Sequence, residues 1–114
     1  MANFSFLVFT RPAPGRDEEF NRWYTGIHLP DMLKVEGFVL GQRFRILRAQ
    51  PALESPSWEY VAIYSIETDD IRRVMKSLNA RLGTADLPMS DCIDIQNLHG
   101  FLTEPITPVV HAAG

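Results

Sequence analysis

His28 and Tyr24 are the residues whose types and spacing best suit proton-transfer chemistry. They are four positions apart, so on a helix their side chains lie one above the other. An imidazole with an unperturbed pKa of about 6.5 can accept and donate a proton at neutral pH. A phenol one turn away can orient a substrate oxygen. We predict both as catalytic residues; the alternative is a histidine that interacts with helix-end carbonyls beside a core tyrosine.

Aromatic side chains on three predicted strands form a second candidate set. Tyr60 and Tyr64 alternate on one face with Trp58, and Phe44 lies on the preceding strand. His99 is a polar residue on the last strand. Such a mixture of aromatic and hydrogen-bonding groups is typical of small-molecule pockets. The alternatives are core packing for each aromatic residue and a solvated strand edge for His99.

The histidines and the cysteine do not form a metal-binding pattern. His28, His99 and His111 are scattered, no HExxH spacing occurs, and Cys92 is the only cysteine. Glycine-rich phosphate loops and a GxSxG elbow are also absent from the sequence. We therefore expect neither a metal nor a cofactor.

Charge and hydropathy exclude two classes of partner. A net charge of -3 argues against nucleic-acid binding, which requires a basic face. We expect the arginines at 43, 45 and 48 to lie on a solvated strand. The apolar N-terminus lacks a basic leader and is interrupted by Arg11 and Pro12, far short of a membrane span. With a single cysteine, this predicts a cytoplasmic protein without membrane contact.

Hydrophobic periodicity predicts four strands and two helices. The strands are residues 3–10, 38–49, 58–67 and 92–103, and the helices are residues 17 to about 27 and 71–82. Pro30 should stop the first helix, with a short second turn possible over residues 31–35, and Thr68 or Asp69 should cap the second helix. Along 38–49, strict alternation places Phe38, Leu40 and Phe44 on one face.

The order β-α-β-β-α-β predicts an α+β, ferredoxin-like fold, with a four-stranded antiparallel sheet and two helices on one face. We expect residues 1–104 to form this domain and residues 105–114 to form a tail. The strands are apolar on both faces, so the helix-free face needs a partner. Two copies packed sheet to sheet would supply it, which predicts a homodimer.

Residues 19–37 carry a distinctive pattern: Trp23-Tyr24, His28, Pro30 and then Gly37-Phe38. This pattern resembles the EthD-like branch of the dimeric α/β-barrel superfamily. The resemblance implies a homodimer whose sheets form a barrel, with one ligand cavity in each subunit. It implies a functional role for His28 and extends to Tyr24 and Asp31.

The pattern and the resemblance together favour a cofactor-independent lyase or isomerase, of dehydratase or cyclase type. Its substrate would be a small, hydrophobic, oxygenated compound, either aromatic or polyketide-like. His28 would remove a proton alpha to a carbonyl, and a tyrosine would hold the developing oxyanion. The residues expected to contact substrate are Trp23, Asp31, Phe44, Tyr60, Tyr64 and His99.

Two other functions remain open at this point. One is a monooxygenase of the same superfamily, either cofactor-free on a quinol-like substrate or with haem bound by His28 or His99. The other is a non-catalytic accessory protein whose cavity only holds a small hydrophobic ligand.

Overall fold

The computed structural model describes residues 1–54 and 56–114. A π-helical turn, Tyr24–His28, and a short 3-10 helix, Ile95–Asn97, accompany the regular elements. Those elements are β1 (Ala2–Thr10), α1 (Asp17–Trp23), α2 (Leu29–Met32), β2 (Phe38–Arg45), β3 (Tyr60–Thr68), α3 (Ile71–Arg81) and β4 (His99–Thr103).

The four strands form one antiparallel sheet in the order β2-β3-β1-β4, which confirms the ferredoxin-like prediction. In its centre Val8 pairs with Ala62, and both side chains are buried beneath the helices. Phe20 from α1 and Leu78 from α3 are also fully buried. The core therefore lies between one face of the sheet and the helical layer.

The first helical segment is longer than predicted, and the expectation that Pro30 stops it is wrong. The N–H of Leu29 donates to the carbonyl of Tyr24, five residues back, so the turn before the proline is widened. Pro30 then occupies the first turn of α2, a position in which proline is tolerated. The helical path runs on to Met32, so His28 lies inside it rather than at its end.

Strand β2 contains an irregularity that changes which residues share a face. Phe38 pairs with Ile66 but Leu40 pairs with Ser65, so one extra residue is inserted between them. Phe38 is consequently buried under the helices, while Leu40 and Phe44 lie on the opposite face. The prediction that these three side chains share a face is wrong.

Trp58 also lies on the helix-free face, contrary to the prediction that it shares a face with Tyr60 and Tyr64. Its ring packs against Phe9, with ring centroids 4.9 Å apart. Strand β3 begins at Tyr60, two residues after the predicted start, and β2 ends at Arg45, before the predicted 49. The regular alternation therefore does not extend back to Trp58.

The last strand is shorter than predicted, because residues 92–98 form an irregular connection. The Asp94 side chain accepts hydrogen bonds from the N–H of Gln96 at 3.2 Å and from Asn97 Nδ2 at 2.8 Å. Such local bonds favour a turn over a strand. The connection is held to the segment between β1 and α1 by the Ala13 N–H, which donates to the Cys92 carbonyl at 2.7 Å.

The N-cap of α3 is Asp70, not Thr68 or Asp69. Its carboxylate accepts a hydrogen bond from the N–H of Arg73 at 3.1 Å. Thr68 instead accepts a hydrogen bond from the N–H of Asp70 at 3.0 Å, which orients the residue that caps the helix.

The face of the sheet without helices carries apolar side chains that the single chain leaves uncovered. Leu40, Phe44 and Phe101 are 56%, 42% and 48% exposed. Residues 105–114 follow β4 outside any helix or strand and are exposed throughout. Within the described residues, no helix has the length and apolar character to cross a membrane.

Candidate functional site

The widened turn of the first helical segment brings Trp23, Tyr24 and His28 into one aromatic cluster. The Trp23 and His28 rings stack with centroids 4.7 Å apart, and the Tyr24 ring meets His28 edge-on at 4.8 Å. On an α-helix, residues three and four apart are neighbours. The hydrogen bond from the Leu29 N–H to the carbonyl five residues back widens the turn, and His28 thereby becomes a neighbour of Trp23 as well. His28 is thereby held between two rings and is only 4% exposed.

The Nδ1 atom of His28 is fully buried, and no hydrogen-bond partner for it exists among residues 1–54 and 56–114. Buried polar atoms are nearly always hydrogen-bonded, and leaving one unpaired costs about 1–3 kcal/mol. A ring locked by two aromatic neighbours cannot turn to find another partner. Among the described residues the Nε1 atom of Trp58, on the helix-free side of the sheet, is also buried and unpaired.

His28 is the only polar side chain among the described residues that line a pocket of about 210 Å³ between the sheet and the helices. The wall comes from β1, α2, the end of α3, the connection before β4, and β4 itself. The apolar side chains that line it include Phe6, Val8, Met32, Leu78, Met89 and Leu98. The pocket is thus an apolar cleft with one hydrogen-bonding group.

Burial lowers the pKa of His28 to about 4. The carboxylate of Asp31 acts in the opposite direction, and the guanidinium of Arg43 adds to the lowering. At neutral pH the imidazole is therefore uncharged, with one nitrogen able to accept a hydrogen bond and the other able to donate one.

Tyr24 and Tyr64 form a buried hydroxyl pair, with their oxygens 2.9 Å apart. Burial raises the pKa of Tyr24 to about 12, and burial and the neighbouring Tyr24 raise the pKa of Tyr64 as well. Both phenols stay protonated at neutral pH. Neither side chain lines the pocket, but Tyr24 contacts His28 and Tyr64 contacts Phe6 of the wall. The pair therefore lies outside the pocket and packs against two of the residues that line it.

Arg43 connects strand β2 to the widened turn, a role that the sequence analysis missed. Its guanidinium lies 4.5 Å from the centre of the Tyr24 ring and donates to Thr25 Oγ1 and Asn21 Oδ1, both at 2.9 Å. Asn21 in turn donates to the Tyr60 hydroxyl at 3.1 Å. Arg43 is half-buried on the helix-covered face, so the expectation of a solvated strand is wrong here.

The structure brings some of the predicted substrate-contacting residues to His28 and not others. Trp23 touches it directly, and Asp31 is three residues further along the helical path, where it pairs with Lys34 at 3.2 Å. His99 and Phe44 lie on the opposite face of the sheet. There His99 packs edge-on against Trp58, with centroids 5.6 Å apart.

The sequence analysis also missed the wall that β4 and its preceding connection contribute. Met89 precedes the irregular connection, Leu98 is its last residue, and Gly100 lies beneath the ring of Phe6. A Cβ atom at Gly100 would lie 2.7 Å from Phe6 Cζ. A lone glycine inside a strand indicates such a close approach. Gly100 was therefore the residue from which the sequence could have predicted this part of the wall.

The Tyr24 and Tyr64 hydroxyls should be energetically coupled. Tyr24→Phe removes one partner and leaves the other hydroxyl buried and unpaired, so we expect a loss of about 1–3 kcal/mol in the free energy of unfolding. The double variant Tyr24→Phe/Tyr64→Phe removes both groups and should lose less than the sum of the single variants. Urea denaturation of all four proteins measures this; additive losses would contradict the coupling.

His28 should make stability depend on pH. Its pKa is about 4 when folded against an ordinary value of 6.5, so the unfolded chain binds more protons between these pH values. The free energy of unfolding should therefore fall as the pH falls through this window, by roughly 2–3 kcal/mol from His28. His28→Gln lacks this dependence. Urea denaturation at pH 7 and 4.5 compares the two, and equal losses would contradict the lowered pKa.

Comparison with known proteins gives one informative result, a similarity of fold. Neither known protein families nor curated proteins provide a match. Among solved structures, the chain is similar to an ethyl tert-butyl ether D (EthD) family protein from Bacillus halodurans C-125, determined at 1.40 Å resolution. The similarity covers 93% of this chain and all of that one, with a TM-score of 0.51 and 14% identity. The protein therefore has the fold of an EthD family protein, as the resemblance predicted.

Proposed function

We propose that the protein is a cofactor-independent lyase or isomerase that moves a proton on a small, hydrophobic, oxygenated compound. The observation that carries this proposal is the neutral, unpartnered imidazole of His28 in an apolar pocket. The ring is fixed by Trp23 and Tyr24, so it meets a bound molecule in one orientation. Fixed geometry is what a general base requires.

A single group in such a pocket can serve both halves of a proton transfer. His28 would take a proton from the carbon next to a carbonyl, leaving an enolate beside an imidazolium. The two opposite charges attract because the surrounding walls are apolar, and the Asp31 carboxylate adds to the stabilisation of the imidazolium. Returning the proton to another carbon completes an isomerisation, and giving it to a departing hydroxyl completes a dehydration with release of water.

The hydroxyls of Tyr24 and Tyr64 have a smaller role in this proposal than the sequence suggested. They bond to each other and do not line the pocket, so they support His28 instead of holding the oxyanion. Haem does not fit either, because about 210 Å³ is below even the roughly 300–1,000 Å³ of ordinary ligand pockets. These points favour proton transfer by His28 alone.

A non-catalytic ligand-binding protein is the second candidate. It is favoured by the low pKa of His28, about 4, since a base with a pKa near the working pH is more effective. In that case the imidazole would only exchange hydrogen bonds with a bound molecule. The two candidates differ in whether the ligand loses a proton.

We also propose that the protein is a homodimer in which the helix-free sheet faces pack together. Phe44 and Phe101 are about half exposed on that face, and Leu40 adds to the same apolar surface. Burial of such a surface between two copies is strongly favourable. The helix-covered pocket stays separate from this contact.

Proton transfer should be visible as deuterium uptake. Cyclohexanone, cyclohex-2-enone and acetophenone in D₂O at neutral pD should lose alpha protons faster with the protein than without it, as followed by NMR. His28→Gln should reduce the rate by about 10²–10⁴. His111→Gln, in the tail, is the matched control and should not change it. Ketones that bind to the protein without exchange would support the binding protein instead.

The dimer should depend on the helix-free face. Phe101→Asp places a charge in the proposed contact, and we expect sedimentation velocity to show a monomer at concentrations where the natural sequence is a dimer. Asn79→Asp introduces the same side chain on the exposed side of α3 and should leave the dimer intact. A dimeric Phe101→Asp variant, or a monomeric natural sequence, would contradict the proposal.

A further inference from the structure

We propose that the His28 pocket takes an uncharged molecule with a single aromatic ring and one hydroxyl or carbonyl group, and that Phe6 packed over Gly100 sets the size limit. This inference rests on the proposed function, because it assigns the ligand of the same site. Size, charge and polar content of the pocket each support it.

The volume of the pocket fits one ring. An apolar cavity of about 150 Å³ holds benzene, and pockets for larger ligands begin near 300 Å³. The pocket of about 210 Å³ lies between these values, which leaves room for a six-membered ring with small substituents.

The chemistry of the wall fits an uncharged ligand. Among the described lining residues, none is charged, and His28 is itself neutral at pH 7. An ionised carboxylate would therefore lose its hydration without gaining a cationic partner. A ligand with several polar groups would leave all but one of them unpaired.

An aromatic ring suits the wall better than a saturated one. Met32 and Met89 both line the pocket, and thioether sulfur packs favourably against aromatic rings. The ligand's polar group would then exchange one hydrogen bond with the imidazole of His28, the one hydrogen-bonding side chain among the described residues of the wall. A neutral phenol can donate such a bond, and an aryl ketone can accept one from the other tautomer.

Gly100 determines where the wall lies. A Cβ atom there would come within 2.7 Å of Cζ and 2.8 Å of Cε1 of Phe6. The Phe6 ring thus occupies the space of an absent β4 side chain at the wall of the pocket. A side chain at position 100 would displace the Phe6 ring and so change the shape of the pocket that both residues line.

Binding can be measured without turnover, by isothermal titration with phenol, toluene, benzoate and 2-naphthol at pH 7. We expect phenol to bind at least tenfold more tightly than benzoate or 2-naphthol. His28→Leu should reduce the affinity for phenol to that for toluene and leave toluene unchanged. Benzoate or 2-naphthol binding as tightly as phenol would overturn the inference.

Two wall variants test the size limit in opposite directions. Gly100→Ala should weaken phenol binding at least tenfold, whereas Asn79→Ala, on the exposed side of α3, should not. Phe6→Leu should let 2-naphthol bind at least tenfold more tightly. Unchanged affinities in both wall variants would contradict the role assigned to Phe6 and Gly100.

The ligand class and the proposed reaction can be tested separately. Tighter binding of phenol than of benzoate and 2-naphthol, without proton exchange on the ketones, would uphold the ligand class and reject the proposed reaction.

Discussion

The hydrogen bond from the Leu29 N–H to the Tyr24 carbonyl determines where His28 lies relative to Trp23 and Tyr24. It widens one helical turn and lets the chain pass Pro30 without a break. The same widening makes Trp23 a neighbour of His28, and the imidazole is stacked and held there. An ordinary α-helical turn would separate these rings, and a helix that ended at Pro30 would leave His28 near solvent.

Two strands of the sheet hold the widened turn in place. Tyr64 from β3 bonds to Tyr24, and Arg43 from β2 lies over the Tyr24 ring while it donates to the turn at Thr25. These contacts fix the tyrosine against which His28 packs. The resulting burial keeps the imidazole uncharged, because no cation can be hydrated in that position. Neutrality and an unpaired nitrogen are therefore consequences of packing.

Periodicity was enough to predict the order of elements, since each strand and helix must bury one face. It was enough for β1, and the spacing of Tyr24 and His28 placed their rings together correctly. It failed at Pro30 and at the insertion before Leu40, where one backbone hydrogen bond or one extra residue changes the path. Arg43 was missed because alternation does not show which face the helices cover.

An NMR titration of the His28 ring tests the central claim most directly, with His28→Gln used to assign the signal. The account predicts a pKa near 4, so the ring should remain neutral from pH 8 down to about 5. A pKa at or above the ordinary value of about 6.5 would mean that the imidazole is hydrated or paired. In that case the buried, unpartnered base on which the proposed chemistry depends would not exist.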